Sequence, residues 1–233
     1  MSSRKTAVVT GASRGIGRAV ATRLAETHDI VAVARNGEQL ESLAREIAGA
    51  GGRCRALPLD ITSAEAVEWS LGSVDADVLI NNAGVGTLKP MLQLSVDDWH
   101  RMVNLNFNAL FYVTRVLLPK MIRRGGGTIV NIGSLAGRNT FVGGTCYAGT
   151  KHAVVAFSES LMLEVRESNV RVAMVMPGSV ATDFGQRTGD LSWMLQSEDV
   201  ANAVAYIVNE RDGALVSRVE MRPARPKRAE RPA

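Results

Sequence analysis

Short apolar runs rich in β-branched residues alternate with longer amphipathic stretches along most of the chain. This alternation is typical of repeated strand-helix-strand units around a parallel sheet, whose strands are buried on both faces and therefore read as continuous apolar segments. The pattern predicts six such strands and a seventh near the end of the chain: Ala7 to Thr10, Ile30 to Ala34, Arg55 to Leu59, Val78 to Asn81, Thr128 to Ile132, Val170 to Met176 and Leu215 to Met221.

Helical periodicity fills the intervals between the strands. The predicted helices are Gly15 to Glu26, Gly37 to Ala48, a short turn of helix near Ala64 to Trp69, Val96 to Arg123, Tyr147 to Glu167 and Glu198 to Val208. No internal repeat or linker interrupts them, so the sequence predicts one α/β domain, a doubly wound parallel sheet with helices on both faces. Ligands of such sheets bind beyond the carboxyl ends of the strands, and functional motifs are therefore expected directly after strands.

The net charge of +4 on 233 residues lies entirely at the C-terminus. Residues 222–233 hold five basic side chains and one acidic one, which equals the whole excess and leaves residues 1–221 electrically neutral. With three prolines among its twelve residues, this tail is predicted to be a disordered extension of a domain that spans residues 1–221. A solvated tail is a more common use of such a segment than a binding arm, so we expect no nucleic-acid partner.

The longest apolar runs are broken within a few residues by Arg, Asp, Asn or Gly, so the sequence predicts neither a signal peptide nor a spanning helix. We therefore expect a cytoplasmic protein with no membrane partner. Cys54 and Cys146 lack the spacing of a zinc site or a disulfide framework, and both are predicted to be reduced and inert. The histidines also lack metal spacing, so no metal is expected and exposed helix positions are predicted for all three: His28, His100 and His152.

A glycine-rich turn, Gly11-Ala12-Ser13-Arg14-Gly15-Ile16-Gly17, follows the first predicted strand and opens the first predicted helix. Glycines at such a turn let the backbone approach a pyrophosphate, and the free amides and dipole at the helix N-terminus stabilise its negative charge. The turn alone is a weak signal, because a strand-to-helix connection without any ligand has the same composition. It becomes informative together with the motifs that follow.

The chain resembles the short-chain dehydrogenase/reductase family over about residues 5–222. The family fingerprint Thr-Gly-x-x-x-Gly-x-Gly is matched by Thr10 to Gly17, and its spacing favours the short single-domain branch over the extended branch of nucleotide-sugar epimerases. Two further motifs match, Asn81-Asn82-Ala83-Gly84 and the loop from Pro177 to Thr182. The resemblance implies a Rossmann-type sheet, a homodimer or homotetramer, and a nicotinamide cofactor held by Gly11, Ser13, Arg14, Gly15, Ile16, Gly17, Arg35, Asp60, Ile61, Asn82, Ala83, Gly84, Tyr147, Lys151, Pro177, Gly178, Val180 and Thr182.

The end of the second strand indicates which nicotinamide cofactor is preferred. Enzymes that use NAD place an acidic residue there to accept hydrogen bonds from the ribose hydroxyls, whereas this chain has Ala34. Arg35 comes next and Arg14 lies within the glycine turn, so two guanidinium groups are available for a 2′-phosphate, and we expect NADP(H) to be preferred over NAD(H). Asp60 resembles the family's adenine-contacting acid, with Ile61 beside the ring, although an N-cap for the following turn also explains Asp60.

Ser134, Tyr147 and Lys151 match the family's Ser…Tyr-x-x-x-Lys arrangement. Tyr147 and Lys151 are four residues apart and share one helical face, while Ser134 lies thirteen residues upstream of Tyr147 at the end of the fifth strand. Asn106 corresponds to the family's helix asparagine and completes the catalytic set. Two further asparagines on this helix are interpreted as helix-surface or structural residues: Asn104 and Asn108.

A free tyrosine has a pKa of about 10 and is a poor base near neutrality unless a cation favours its phenolate. The Lys151 ammonium supplies this cation and is expected to bring the pKa of Tyr147 toward the working range. By resemblance, hydride passes from NADPH to a carbonyl carbon while Tyr147 protonates the oxygen and Ser134 polarises it, and alcohol oxidation is the reverse. Asn106 is expected to hold a water that connects Lys151 to a proton relay.

The segment from Asp183 to Gln196 carries the family's substrate specificity by resemblance. Its apolar residues predict either a small lid over a compact carbonyl substrate or ordinary loop packing: Phe184, Leu191, Trp193 and Met194. The last strand lacks the glycine-rich ending of ketoacyl-carrier-protein reductases, which favours a broad-specificity enzyme acting on ketones and 3-hydroxy acids. Two alternatives stay open, a 3-ketoacyl-thioester reductase and a non-catalytic NADP(H)-binding sensor.

Overall fold

A single seven-stranded parallel sheet forms the centre of the computed structural model, which describes residues 4–182, 184, 190–211 and 213–225. The strands lie in the order β3-β2-β1-β4-β5-β6-β7 and each pairs in parallel with its neighbours. Their bounds are β1 Lys5–Thr10, β2 His28–Ala34, β3 Cys54–Pro58, β4 Val78–Asn81, β5 Gly127–Ile132, β6 Val170–Pro177 and β7 Arg218–Met221. The predicted α/β fold with seven strands is confirmed, although β7 begins three residues later than its apolar pattern indicated.

The described residues form seven α-helices. They are α1 Gly15–Leu24, α2 Gly37–Gly49, α3 Ala64–Leu71, α4 Val96–Val103, α5 Ala109–Arg124, α6 Thr145–Val165 and α7 Ser197–Val208. The predicted helix from Val96 to Arg123 is present as one helical run, and a π-helical segment, Asn104–Asn108, lies within it between α4 and α5. Hydrophobic periodicity does not reveal such a segment, because the backbone stays helical from α4 through to α5.

Two hydrophobic layers lie on opposite faces of the sheet. The inward side chains of α1, α2 and α7 pack on one face, where Leu24, Leu40 and Val204 are fully buried. The other face is covered by α3, α5 and α6, with Leu71 and Leu117 at its centre. This doubly wound arrangement follows from the strands being apolar on both sides. The strand order reverses between β1 and β4, so the carboxyl ends of these two strands border the crevice in which such folds bind ligands.

His28 departs from the predicted exposed helical position. It is the first residue of β2, its side chain is buried, and its Nδ1 lies 2.8 Å from Thr27 Oγ1. Burial, followed by the nearby charge of Lys5, lowers the pKa of this imidazole. The prediction failed because α1 ends at Leu24 and the strand begins two residues before its apolar run. His100 and His152 are exposed on α4 and α6, as predicted.

Candidate active site

The glycine turn connects β1 to α1 at the carboxyl edge of the sheet. Gly11 has φ +67° and Gly15 has φ +54°, both in the left-handed region that favours glycine. Gly17 serves a different purpose: a Cβ added there would lie 2.2 Å from Gly11 O and 2.4 Å from Asn82 Nδ2. The absence of a side chain at Gly17 therefore allows α1 to pack directly against the turn.

Thr10 and Asn82 fasten this turn to the neighbouring strand β4. Asn82 Nδ2 donates hydrogen bonds to Thr10 O at 2.9 Å and Gly11 O at 3.3 Å. Thr10 Oγ1 in turn accepts from the backbone amides of Asn82 at 3.0 Å and Ala83 at 3.1 Å. The Asn-Asn-Ala-Gly motif and the glycine motif thus form one hydrogen-bonded unit. Sequence reasoning did not assign this role to Thr10.

Replacement of Gly17 by alanine is expected to destabilise the protein by about 3 kcal/mol, because the added methyl group collides with backbone rather than with a movable side chain. Guanidinium chloride unfolding measures this loss. Gly49→Ala is the matched control, since a Cβ at Gly49 meets no atom within 4 Å and should leave stability unchanged or slightly raised. Equal stability of the two variants would contradict the close packing at Gly17.

The N-terminus of α1 fits a pyrophosphate group. Its N-cap residue Arg14 makes no side-chain capping hydrogen bond, and the first turn carries no acidic residue. Amides at this position and the positive end of the helix dipole favour an anion. The glycines around it leave room for close approach of a ligand to the backbone. The donor set of this turn therefore suits the phosphates of a dinucleotide.

Two exposed arginines lie at the same edge. The glycine turn is tied to β2 by a hydrogen bond from Ala12 N to Val33 O at 3.2 Å, so Arg14 in the turn and Arg35 after β2 belong to neighbouring segments. The strand itself ends in Ala34, with no carboxylate at that place. This edge is consequently suited to a phosphate rather than to ribose hydroxyls alone.

Asp60 forms its own turn after β3. Its Oδ1 accepts hydrogen bonds from Thr62 N at 3.0 Å and from Thr62 Oγ1 at 2.7 Å, and these bonds lower the pKa of the carboxyl group. Ser63, not Asp60, caps α3 by accepting from Ala66 N, so the N-cap alternative for Asp60 is wrong. The neighbouring Ile61 is buried in the core beneath α3.

Lys151 joins α6 to the end of β5. Its side chain is only 7% exposed, and its Nζ donates a hydrogen bond of 3.0 Å to Ile132 O. The same Nζ lies 5.9 Å from the centroid of the Tyr147 ring, one helical turn earlier on α6. Burial lowers the pKa of Lys151 to about 8. Ser134 begins a short 3-10 turn two residues beyond β5, where its Oγ accepts from Ala136 N at 3.1 Å.

Asn106 lies in the π-helical segment and is buried beside these groups. Its Oδ1 accepts from Val85 N at 2.8 Å, and its Nδ2 donates to Val85 O at 2.9 Å and to Thr150 Oγ1 at 3.1 Å. A Cβ on Gly84 would lie 3.3 Å from Asn106 Oδ1 and 3.9 Å from Lys151 Nζ. Asn106 and Lys151 therefore border the same glycine at the carboxyl end of β4.

The other two asparagines of the π-helical segment do not share these contacts. Asn108 Nδ2 donates to Asn104 Oδ1 at 2.9 Å, and this bond is exposed. Their spacing of four residues places both on one side of the segment, while Asn106 is turned toward the core. The structure thus brings Asn106, Tyr147 and Lys151 together and leaves Asn104 and Asn108 apart from them.

The loop after β6 returns across the site. Gly178 N donates to Met221 O at 2.8 Å, and Val180 forms a parallel bridge with Leu195. A Cβ on Gly15 would lie 3.4 Å from Thr182 Cγ2, so the loop reaches the glycine turn. Of the predicted lid, Asp183 and residues 185–189 lie outside the described residues. The described apolar members are buried or half-buried: Phe184, Leu191, Trp193 and Met194.

Cys54 and Cys146 are free thiols, and burial raises the pKa of Cys54 to about 11 and that of Cys146 as well. Within the part of the chain that the structure describes, no three His, Cys, Asp or Glu side chains are grouped so that they would hold a metal ion.

None of the helices described is long and apolar enough to span a bilayer.

Comparison with known proteins identifies the family of this chain. The profile of the family described as short chain dehydrogenase matches residues 5–191. The NADP-dependent 3-hydroxy acid dehydrogenase YdfG of Salmonella typhi is 34% identical, and the match covers 93% of this chain and 94% of YdfG. The 3-oxoacyl-[acyl-carrier-protein] reductase FabG of Haemophilus influenzae is 31% identical, and the match covers 90% of this chain and 92% of FabG. Among solved structures, the closed form of a serine dehydrogenase complexed with NADP+ has a TM-score of 0.87 at 31% identity and covers 98% of both chains.

The chain belongs to the short-chain dehydrogenase family. The predicted resemblance is thereby confirmed over nearly the whole described fold.

Proposed function

We propose that this protein is an NADP(H)-dependent oxidoreductase that interconverts a carbonyl group and a secondary alcohol. The observation that supports this function most strongly is the placement of Tyr147 one helical turn from the buried Lys151, beside Asn106 and at the carboxyl edge that carries the glycine turn. The names of YdfG, FabG and the NADP-bound serine dehydrogenase agree with this reaction class and cofactor.

In the reducing direction, Tyr147 donates its phenolic proton to the substrate oxygen, and the Ser134 hydroxyl donates a hydrogen bond to the same oxygen. When bound, NADPH would supply the hydride that the carbonyl carbon receives. The phenolate left on Tyr147 is stabilised by the Lys151 ammonium. Lys151 is held in place by Ile132 O, and Asn106 fixes the backbone of Val85, the residue that follows Gly84. In the oxidising direction Tyr147 accepts the proton of the alcohol.

Removal of both edge arginines is expected to abolish the preference for NADPH. The Arg14→Ala, Arg35→Ala double variant should lose roughly 100-fold or more in kcat/KM for NADPH and little for NADH, because each charge-assisted bond to a phosphate is worth about 1.5–3 kcal/mol. Steady-state kinetics with both cofactors measure the ratio. Arg123→Ala, an exposed arginine near the end of α5, is the control. Equal use of NADH by the unmodified protein would refute the assignment of Arg14 and Arg35.

The physiological substrate is proposed to be a small ketone or 3-hydroxy acid. Absorbance of NADPH and NADH is followed against a panel of ketones, 3-keto acids, acetoacetyl thioesters and, in reverse, 3-hydroxy acids. Turnover of free keto acids supports the proposal. Turnover confined to thioesters would instead support the 3-ketoacyl-thioester reductase, which the similarity to FabG keeps as the second candidate. NADPH binding without any turnover would overturn both in favour of a sensor.

The domain is proposed to span residues 1–221 and to act as a cytoplasmic homodimer or homotetramer. The outer faces of α5 and α6 expose large apolar side chains, with Phe111 44% and Leu163 61% exposed, as expected for helices that pair between subunits. Sedimentation equilibrium tests this assembly, and a monomer at micromolar concentration would contradict it.

A further inference from the structure

Phe184 is an aromatic residue that the mechanism above does not use. Its ring centroid lies 5.5 Å from that of Tyr147, with the two planes inclined by 52°. Aromatic pairs at this separation attract one another beyond the area that they bury. The ring therefore covers one side of the residue that is proposed to exchange a proton with the substrate.

Gly86 is what allows the Phe184 ring to lie there. A Cβ added at Gly86 would lie 2.5 Å from Phe184 Cζ and 2.8 Å from Phe184 Cε1, distances shorter than any van der Waals contact. The same Cβ would lie 3.3 Å from Tyr147 Cδ2. Gly86, two residues beyond the Asn-Asn-Ala-Gly motif, thus forms a notch that receives one ring and borders the other.

The described backbone upstream of Phe184, residues 179–182, is held by contacts on both sides of the crevice. Phe184 N donates to Thr182 Oγ1 at 3.3 Å, and Thr182 itself packs toward Gly15 in the glycine turn. Upstream, Ala181 N donates to Leu195 O at 2.8 Å, and Leu195 N donates to Ser179 O at 3.1 Å. These bonds tie the segment to the residues just before α7. Phe184 is thus hydrogen-bonded to a segment that these contacts hold in place.

We propose that Phe184, seated in the Gly86 notch, is the size-limiting wall of the substrate site. This inference rests on the proposed carbonyl reductase function. A substrate whose oxygen reaches the Tyr147 hydroxyl has two carbon substituents, and the one directed toward Gly86 meets the Phe184 ring. That substituent must be small. The protein then selects carbonyl compounds with at least one group about the size of a methyl.

The test uses three 3-oxoesters that differ only in this group: ethyl acetoacetate with a methyl, ethyl isobutyrylacetate with an isopropyl, and ethyl benzoylacetate with a phenyl. A pocket commonly discriminates by roughly 10-fold or more per unaccommodated methylene. The unmodified protein should therefore prefer the methyl ester strongly. Phe184→Ala should raise kcat/KM for the phenyl ester relative to the methyl ester by at least about 10-fold, with Phe184→Leu in between.

A double-mutant cycle tests the contact without any turnover. Gly86→Ala should lower the melting temperature of the unmodified protein, because the added methyl displaces the ring, and should lower it far less in the Phe184→Ala background. Gly149→Ala is the matched control, since a Cβ at this exposed position of α6 meets no atom within 4 Å. Additive effects of Gly86→Ala and Phe184→Ala would overturn the placement of the ring.

The dissociation constants of the three esters also measure the size preference. Isothermal titration calorimetry of the three esters into the protein saturated with NADP+ gives the ratio of Kd values for phenyl and methyl esters. A ratio that Phe184→Ala leaves unchanged, in kcat/KM or in Kd, overturns the proposed wall. Absence of turnover in every protein, with a ratio of Kd values that still shifts, counts against the carbonyl reductase function and supports the wall.

Discussion

Tyr147→Phe is expected to reduce kcat for carbonyl reduction by roughly 1,000-fold, which is within the range of a lost general acid. The substitution removes one oxygen atom and keeps the ring that contacts Phe184, so the shape of the site is preserved. The affinity for NADPH should stay nearly unchanged, because the substitution keeps the Tyr147 ring and leaves the glycine turn and the edge arginines unaltered. Stopped-flow absorbance gives kcat, and fluorescence titration gives the Kd of NADPH.

The matched control for this experiment is Tyr206→Phe. Tyr206 lies on α7 and is 59% exposed, and a hydrogen bond with Glu210 raises its pKa. Its loss should leave kcat within a factor of two of the unmodified protein. Full activity of Tyr147→Phe, or an equal loss in both variants, would contradict the role proposed for Tyr147.

The fold was predictable from the sequence because parallel strands buried on both faces are apolar throughout. The run Val170–Met176 and the run Ile30–Ala34 were identified in this way, and both lie in the sheet. The order of the strands was not encoded in the periodicity, since pairing depends on crossovers between distant segments, and only the structure gives it. The end strand β7 was predicted too long because its three preceding residues are apolar or small but lie outside the paired strand, although Ser217 O still accepts a hydrogen bond from Met174 N of β6.

The sequence predicted only those site residues whose side chains belong to a recognisable motif. Tyr147 and Lys151 were found by their spacing. Val85 had no such signal, because it contributes only its backbone amide and carbonyl, and its contact with Asn106 spans 21 residues of chain. The notch at Gly86 was equally hidden, since its purpose depends on a ring almost one hundred residues later in the sequence.

The burial of Lys151 was a third feature that spacing did not reveal. A helical face shared with Tyr147 places the ammonium near the phenol but does not say how much water reaches it. The structure shows that α6 places Lys151 against the end of β5, where Lys151 Nζ donates a hydrogen bond to Ile132 O. Desolvation opposes the charge that the proposed mechanism requires, so function and stability are expected to conflict at this residue.

Lys151→Met is therefore expected to lower kcat by at least about 100-fold and, at pH 7, to stabilise the cofactor-free protein by about 2 kcal/mol. The pKa of Lys151 falls from 10.5 to about 8 on folding, and each unit corresponds to about 1.4 kcal/mol, so the buried charge costs about 3 kcal/mol. Removing the charge therefore stabilises the folded state by about 3 kcal/mol, whereas loss of the hydrogen bond to Ile132 O destabilises it by about 1 kcal/mol.

The stabilising effect of Lys151→Met should depend on pH. Below pH 8 both the folded and the unfolded protein hold the Lys151 proton, so the penalty of burying the charge is fully present. Between pH 8 and 10.5 the unfolded state binds more protons than the folded state, and the contribution of Lys151 to stability rises with pH. The advantage of Lys151→Met should accordingly be largest below pH 8 and vanish by pH 10.5.

Urea unfolding of both proteins from pH 6 to 10.5 measures this difference. Lys120→Met is the control, because Lys120 Nζ also donates to a backbone carbonyl, that of Val74 at 3.1 Å, but the side chain is only partly buried. That variant should lose stability at every pH. If Lys151→Met instead destabilises the protein at pH 7 as Lys120→Met does, the ammonium is not desolvated in the folded protein. The proposed conflict between catalysis and stability at Lys151 would then have no physical basis.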